Sequence, residues 1–458
     1  MYKQNSILNN IQTVLTNNNN ISHGDEIVAT IYNKAEDIAK NTVTVNDKRR
    51  IKWEQKVDDI LTSKIFGYPI MLLMLGIIFW ITIKGANVPS AMLADFFFSI
   101  EPKITSLFSL INAPSWLHGI LVLGAYRTLA WVISVMLPPM AIFFPLFTLL
   151  EDLGYLPRVA FNLDNAFRKA GTHGKQALTM SMGFGCNAAG VIACRIINSP
   201  RERLIATITN NFVPCNGRFP TLITISMIFL GMYSSKYSST LAALCLVAMI
   251  LFGIIITLLI SKFLSITFLK GVPSSFTLEL PPYRKPQIGK IIVRSIFDRT
   301  LFVLGRAIII AAPAGAITWM VANITIGGIS ILNHVAAFLN PFALLLGLDG
   351  FILMAFILGM PANEIVLPIL IMSYMSQGAM LELESLETLQ NLLLSNGWTF
   401  ITGLNFMLFS LLHFPCGTTL LTINKETGSK KWTFFTFALT TLVAIFVTFI
   451  VNAIYNIF

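Results

Sequence analysis

Charged positions along this chain are sparse and clustered, leaving long apolar stretches between them. Residues 1–22 are polar and Asn-rich, which predicts a loosely packed lead, and Ile27, Ile31 and Ala35 then recur at helical spacing. Residues 48–61 set Arg49, Arg50, Lys52 and Lys56 against Trp53, Val57, Ile60 and Leu61, an amphipathic helix running down to a bilayer surface. Residues 65–83 carry no charge for about 19 positions, enough for one membrane span. Residues 88–115, with Asp95, Glu101 and Lys103, read as an interfacial helix. Residues 117–161 hold Arg127, Pro138, Pro139, Pro145, Glu151 and Asp152, consistent with two spans or one bent span. Further spans are predicted over 239–261, 307–326 and 433–458, and an interfacial helix over 291–306. The stretch 262–290 is a basic, Pro-rich loop, and 380–396 an acidic, leucine-rich surface helix.

Four other apolar segments (177–197, 204–232, 351–374 and 398–423) are broken by Gly, Pro, Cys and Asn. Lipid tolerates open backbone only where protein or a wet cavity satisfies the freed N–H and C=O groups, so each break predicts a polar site at membrane depth. The breaks pair. Gly183-Phe-Gly-Cys-Asn-Ala188 resembles Gly359-Met-Pro-Ala-Asn-Glu364, and Phe212-Val-Pro-Cys-Asn-Gly217 resembles Phe414-Pro-Cys-Gly417. Interrupted helices at corresponding places in two halves point to a transporter site where the halves meet.

Composition agrees. Of 458 residues, 55% are hydrophobic and 12% charged, with mean hydropathy +0.72, against about 25% charged in soluble domains. This is an all-α, polytopic helical membrane protein with a short N-terminal cytosolic helical segment. The net charge of +10 lies in short basic clusters between apolar runs, as cytoplasmic loops require, and does not imply nucleic acid. The five cysteines form no CxxC or disulfide-like framework and read as reduced thiols. The first apolar run begins near residue 65, so no secretory leader opens the sequence.

Cys186, Cys215 and Cys416 each stand beside a break, and thiolates favour soft or borderline metal ions over Mg2+. Cys194 and Cys245 lack such neighbours and read as small packing residues. Asn187, Asn216 and Asn363 can offer a carbonyl oxygen to a cation or simply cap a broken helix. Glu364, the one acid in its segment, either faces a cation path or pairs with Arg127, Arg195 or Arg306. Arg195 and Arg218 read as interfacial, snorkelling side chains, and His413 as a weak partner for Cys416 because Pro415 disturbs the helical register. The metal site predicted is Cys186, Cys215, Cys416, Asn187, Asn363 and Glu364. No phosphate loop is legible; the nearest echo, Gly171-Thr-His-Gly-Lys-Gln176, lacks the glycine spacing and the terminal Ser or Thr.

Taken jointly, these motifs, with Leu150-Glu-Asp-Leu-Gly-Tyr155, Arg201-Glu-Arg-Leu204, Pro214-Cys-Asn-Gly-Arg-Phe-Pro220 and Lys425-Glu-Thr-Gly-Ser429, resemble the membrane domain of FeoB-type ferrous iron transporters over about residues 24–458. The resemblance implies two gate halves in inverted arrangement, Fe2+ as substrate rather than bound cofactor, and the cysteines at 186, 215 and 416 as the residues that handle it. The segments it predicts are a cytosolic helical remnant and linker (1–62), the first span with the interfacial helix (63–116), a first gate half (117–262), the basic loop (263–290), a second gate half (291–424) and a last span (425–458). Three departures stand out. A GTP-binding domain, usual at the N-terminus of the family, is missing from this sequence, so either the GTPase is a separate polypeptide or this is a truncated reading frame. Ala188-Ala189 replaces a common Val-Pro, and Asn363-Glu364 a common Lys-Glu. The expected function is Fe2+ transport across the bacterial cytoplasmic membrane by alternating access, with the lipid bilayer, a GTP-binding subunit, small cytosolic accessory proteins and further copies of itself as partners. The alternatives are a gate-type carrier of a nucleoside or another divalent metal, and a scaffold that does not transport. Nothing in the residues points to an enzyme.

Overall fold

The computed structural model describes residues 23–42, 48–63, 65–231, 238–271, 283, 286–376, 378–379 and 386–457. The predicted lead, much of the basic loop and the start of the acidic stretch lie outside them. Two helices come first, α1 (His23–Thr42) and α2 (Lys48–Leu61), then α3 (Gly67–Leu110) and α4 (Ser115–Asp152). The first half continues with α5 (Tyr155–Lys169), α6 (Lys175–Gly185), α7 (Asn187–Ala193), α8 (Pro200–Thr209), α9 (Phe219–Gly231) and α10 (Ser238–Ile266). In the second half follow α11 (Ile288–Arg294), α12 (Phe302–Asn323), α13 (Ile331–Leu345), α14 (Gly350–Leu358), α15 (Val366–Tyr374), α16 (Leu386–Ser395), α17 (Phe400–Leu412), α18 (Gly417–Thr427) and α19 (Lys430–Ile457). A two-residue hairpin, β1 (Thr325–Ile326) and β2 (Ile329–Ser330), turns at Gly327-Gly328, both with positive φ. Among the described residues six helices are long and apolar enough to cross a membrane, counting α17–α18 as one.

Contacts between element ends define the threading. Lys175 Nζ donates to Ile196 O at 3.3 Å, so α6 and α7 form a hairpin that enters and leaves by one face, with Cys186 at its tip. Glu426, near the end of α18, pairs with Arg195 on that face at 2.7 Å. Arg201, near the start of α8, reaches Leu269 O and Ser265 Oγ, both at 2.6 Å, so α10 ends there too. At the other face Tyr374 OH meets the Asp349 carboxylate, and Trp398 Nε1 donates to Tyr374 OH at 2.8 Å. That closes the second hairpin, α14 and α15, with Ala362 at its tip. Phe229 of α9 stacks on Trp398 at 5.9 Å. Hence α8–α9 crosses from the first face to the second and α17–α18 crosses back, each broken midway. The hairpins dip from opposite faces, and the halves are inverted repeats.

A constant shift of 176 positions relates the two hairpins. Asp164 Oδ1 accepts from Gly174 N at 2.9 Å, and Asn340 Oδ1 from Gly350 N at 3.1 Å. Gly171 and Gly347 both take positive φ, 76° and 66°. Cys186 and Ala362 share one extended backbone conformation, φ −156°, ψ 127° and φ −151°, ψ 121°. The phosphate-loop echo thus has a structural use: it is the turn from α5 into α6, and a methyl at Gly174 would strike Asp164.

Three sequence expectations change. The far-interface helix does not exist separately: Gly67–Leu110 is one helix of 44 residues, about 66 Å long against a bilayer of about 40–45 Å. Its charges sit beyond the apolar window, and Glu101 is neutralised by Arg127 of α4. The Pro-containing stretch after residue 117 is one helix to Asp152, with a π-helical segment at Gly119–Tyr126, and the amphipathic α5 follows. The helix expected over 291–306 runs on through a π-helical segment (Ser295–Leu301) into α12.

The second N-terminal helix is tied to the first face. Arg158, buried in α5, donates to both carboxylate oxygens of Asp58 in α2 at 3.0 and 3.1 Å, and Tyr283 OH donates to Asp58 Oδ1 at 2.7 Å. Burial pushes the Asp58 carboxyl up, but these two donors and the Arg158 charge outweigh it and hold it below the usual carboxylate range. Burial and the Asp58 bond push Tyr283 up to about 12. A depressed carboxyl stabilises at every pH above its unfolded value and loses that contribution as pH falls through the folded one. The tie therefore holds at neutral pH. Asp58→Asn, which leaves the Arg158 guanidinium short of its charged partner, is expected to cost about 1.5–3 kcal/mol. Limited proteolysis between α2 and α3 should report it; unchanged protection would remove this tie from the account.

Candidate functional site

The four breaks are satisfied in pairs within each half. Asn216 N donates to Gly185 O at 3.3 Å, and at the equivalent place Gly417 N donates to Met360 O at 2.8 Å. The second break of each half thus covers backbone that the first one frees, the condition for irregular chain at membrane depth. Packing is close here: methyls at Gly183 or Gly190 would press on the Asn210 amide, 2.9 and 2.5 Å from its nearest atoms.

The halves meet where the breaks face each other, around a cavity of about 30 Å³. That holds a water or a bare cation with little to spare. All six residues predicted from the sequence line it: Cys186, Asn187, Cys215, Asn363, Glu364 and Cys416. Asn216 lines it as well. Sequence reasoning missed four wall residues, Met136 and Met140 of α4, Ala307 of α12 and Thr418 of α18. Only the i, i+4 spacing of the two methionines could have signalled any of them.

Contacts across the cavity join the halves directly. Asn363 Nδ2 reaches Cys215 Sγ at 3.8 Å. Glu364 packs on Gly217, where any methyl would collide with its carboxylate. Cys416 Sγ lies 3.2 Å from Thr419 Oγ1. Asn187 is best satisfied with its amide nitrogen toward Gly183 O and Val213 O, at 3.1 and 3.3 Å. In that orientation it both ties the two first-half breaks and lines the cavity, so capping and lining are not exclusive. Among the described residues no three His, Cys, Asp or Glu side chains stand close enough to hold one metal ion together. The cavity is therefore unlike a structural metal centre, which presents four ligands at once.

The arginines depart from expectation. Arg127 pairs with Glu101, Arg195 with Glu426, and Arg306 donates to Thr422 Oγ1 at 2.8 Å. Arg218 is not interfacial: it is 1% exposed and donates to Asn211 O and Leu411 O at 3.2 and 2.7 Å, and to His413 O and Phe414 O at 3.4 Å. These carbonyls end α8 and α17, so one guanidinium collects the negative ends of a broken helix from each half. His413 is kept out of the cavity. Its Nδ1 faces Phe409 O and Ser410 O, and its ring lies among Phe356, Phe409 and Phe414. Cys194 packs with Ile197 and Ala206, and Cys245 lies half-buried against the main core, as their surroundings in the sequence implied.

Comparison with known proteins agrees with this architecture. Residues 133–229 match a family model described as Gate, nucleoside recognition, and residues 246–298 one described as the C terminus of ferrous iron transport protein B. The Fe(2+) transporter FeoB of Staphylococcus aureus is 28% identical over 432 residues, which is 92% of this chain and 62% of that protein. Its Campylobacter jejuni counterpart is 26% identical over 90% of this chain and 67% of its own length. In Porphyromonas gingivalis an Fe(2+) transport protein A/Fe(2+) transporter FeoB fusion protein is 25% identical over 91% of this chain and 53% of its own length. The chain thus spans about half to two-thirds of the length of these relatives. No solved structure matches it. With two family models matching inside it and relatives running along some nine-tenths of its length, the chain is similar to the membrane region of FeoB-type proteins.

Proposed function

We propose that this chain is the membrane pathway of a ferrous-iron carrier, with Fe2+ passing through the cavity between the two halves by alternating access. One observation carries the reading: three thiols, three amides and a carboxylic acid, drawn from all four breaks, converge on a single cavity where inverted halves meet. Thiolate and carboxylate donors suit a borderline divalent ion such as Fe2+ better than Mg2+, and imperfect coordination suits an ion that must also leave. The size argues against the nucleoside reading, since about 30 Å³ is far below the roughly 300–1,000 Å³ of sites for larger organic ligands.

The first face carries Lys169, Lys175, Arg195, Arg201, Arg203, Lys425 and Lys430, whereas Asp349 and Glu387 lie at the second and the far end of α3 adds Lys103 with Asp95 and Glu101. By the positive-inside rule the first face is cytoplasmic, in a bacterial cytoplasmic membrane. The tie to α2 favours a cytoplasmic position for that helix, the side on which a GTP-binding domain would act. The Porphyromonas fusion with transport protein A favours a small cytosolic accessory partner.

The test is uptake of radiolabelled Fe2+ by proteoliposomes under reducing conditions, with and without an added GTPase. Cys215→Ser is expected to lower uptake at least tenfold, about 1.4 kcal/mol, with the protein still monodisperse. Nucleoside uptake indifferent to Fe2+, or metal uptake unchanged when the cysteines at 186, 215 and 416 are all serine, would overturn the proposal.

A further inference from the structure

One polar column leaves the cavity. On α18, Thr418 lines the cavity, Thr422 is fully buried, and Glu426 ends at the basic face. Spacing of four keeps the three on one side of the helix over about 12 Å. Two other helices that wall the cavity also bring a member to the column. From α12, Ala307 lines the cavity while Arg306 donates to Thr422 Oγ1 at 2.8 Å. From α7, Asn187 lines the cavity, and Arg195 just beyond its end holds Glu426 with both Nε and NH2, at 2.7 and 2.8 Å. Helix α7 belongs to the first half, and α12 and α18 to the second. The column therefore follows the seam between the halves from cavity to surface.

We propose that this seam is the route by which the cavity opens to the basic face, and that Arg195 and Glu426 are the residues that latch it shut. The proposal rests on the alternating-access reading but concerns residues outside the cavity. In the present conformation the Arg306 guanidinium, bonded to Thr422, occupies the middle of the seam. At the outer end the Arg195–Glu426 pair spans the halves. Separating the halves breaks that pair first, because Arg195 is 64% exposed and Glu426 only 14%: water reaches the guanidinium side, and the carboxylate stays on the seam wall facing the outgoing ion. A pair whose cation is largely exposed contributes little stability. That suits a latch, which must open at every cycle.

The experiment uses the full-length chain with its native cysteines in oriented proteoliposomes. A membrane-impermeant methanethiosulfonate is added from the basic face, and Cys416 modification is followed by peptide mass spectrometry. Glu426→Gln and Arg195→Gln are each expected to speed modification about two- to fivefold. The charge-exchanged double variant, Arg195→Glu with Glu426→Arg, should return the rate to that of the native chain, which a general loosening of the fold would not do. Cys245 of α10, half-buried against the main core and away from the seam, reports any such loosening. Rates in both single variants no faster than in the native chain, or faster modification only from the opposite face, would overturn the latch. Fe2+ uptake separates this from the function reading: faster Cys416 modification without metal uptake in any variant counts against iron transport and leaves the latch standing, whereas intact uptake with unaltered modification removes the latch alone.

Discussion

Arg218→Leu is expected to destabilise the protein more than any other single replacement considered, by at least about 3–5 kcal/mol. The effect has two opposing parts. An isolated buried guanidinium is costly to desolvate, and an apolar side chain relieves that cost. Against it, the carbonyls of Asn211, Leu411, His413 and Phe414 all lose their donor at the ends of two broken helices. Each unpartnered buried carbonyl costs roughly 1–3 kcal/mol, and helix C-termini concentrate negative partial charge at that spot. The sum of several such losses exceeds the relief. Arg218→Lys keeps the charge but not the planar fork, so it should fall between the two. Thermal unfolding in detergent, with size-exclusion chromatography to score monodispersity, decides this. A leucine variant as stable as the native chain would mean that the halves are joined by something else.

That arginine also marks where the sequence stopped being informative. Its neighbours Pro214, Cys215 and Gly217 announced a break, but nothing in one dimension says that four carbonyls from elements some 190 residues apart turn toward the same point. The first break of each half was easier. Cys186 and Ala362 sit in matched local sequence at a fixed shift, and the backbone repeats with it. Their convergence with Cys215 and Cys416 was legible because lipid penalises open backbone anywhere but at a shared polar site. The charges of α3 misled for a related reason. Asp95 and Glu101 read as an interfacial boundary only while the helix was assumed to stop at the membrane, and a helix longer than the bilayer carries its charges past it. Topology was likewise undecided from charge alone, since Arg195, Arg201 and Arg203 violate a simple alternation of spans. The re-entrant hairpin removes the conflict by returning the chain to the face it left.

Glu364→Gln should lower Fe2+ uptake ten- to a hundredfold while leaving the fold intact. Glu364 is the one acidic side chain on the cavity wall, and keeping an acid at membrane depth costs roughly 2.5–3.5 kcal/mol even on the lenient insertion scale. At an effective dielectric near 20, two unit charges about 4 Å apart interact by about 4 kcal/mol. Losing a third to two-thirds of that from the passage of a divalent ion accounts for the expected range. Shape is the rival explanation, because Glu364 fills the space beside Gly217. Gly217→Ala separates the two: it keeps the charge but forces the carboxylate out of its present position. If charge governs passage, the glutamine variant is the more impaired and loses its preference for Fe2+ over monovalent ions, while the alanine variant keeps that preference at a reduced rate. If glutamine transports normally and alanine does not, Glu364 acts as packing and the cation path must be sought among the thiols alone.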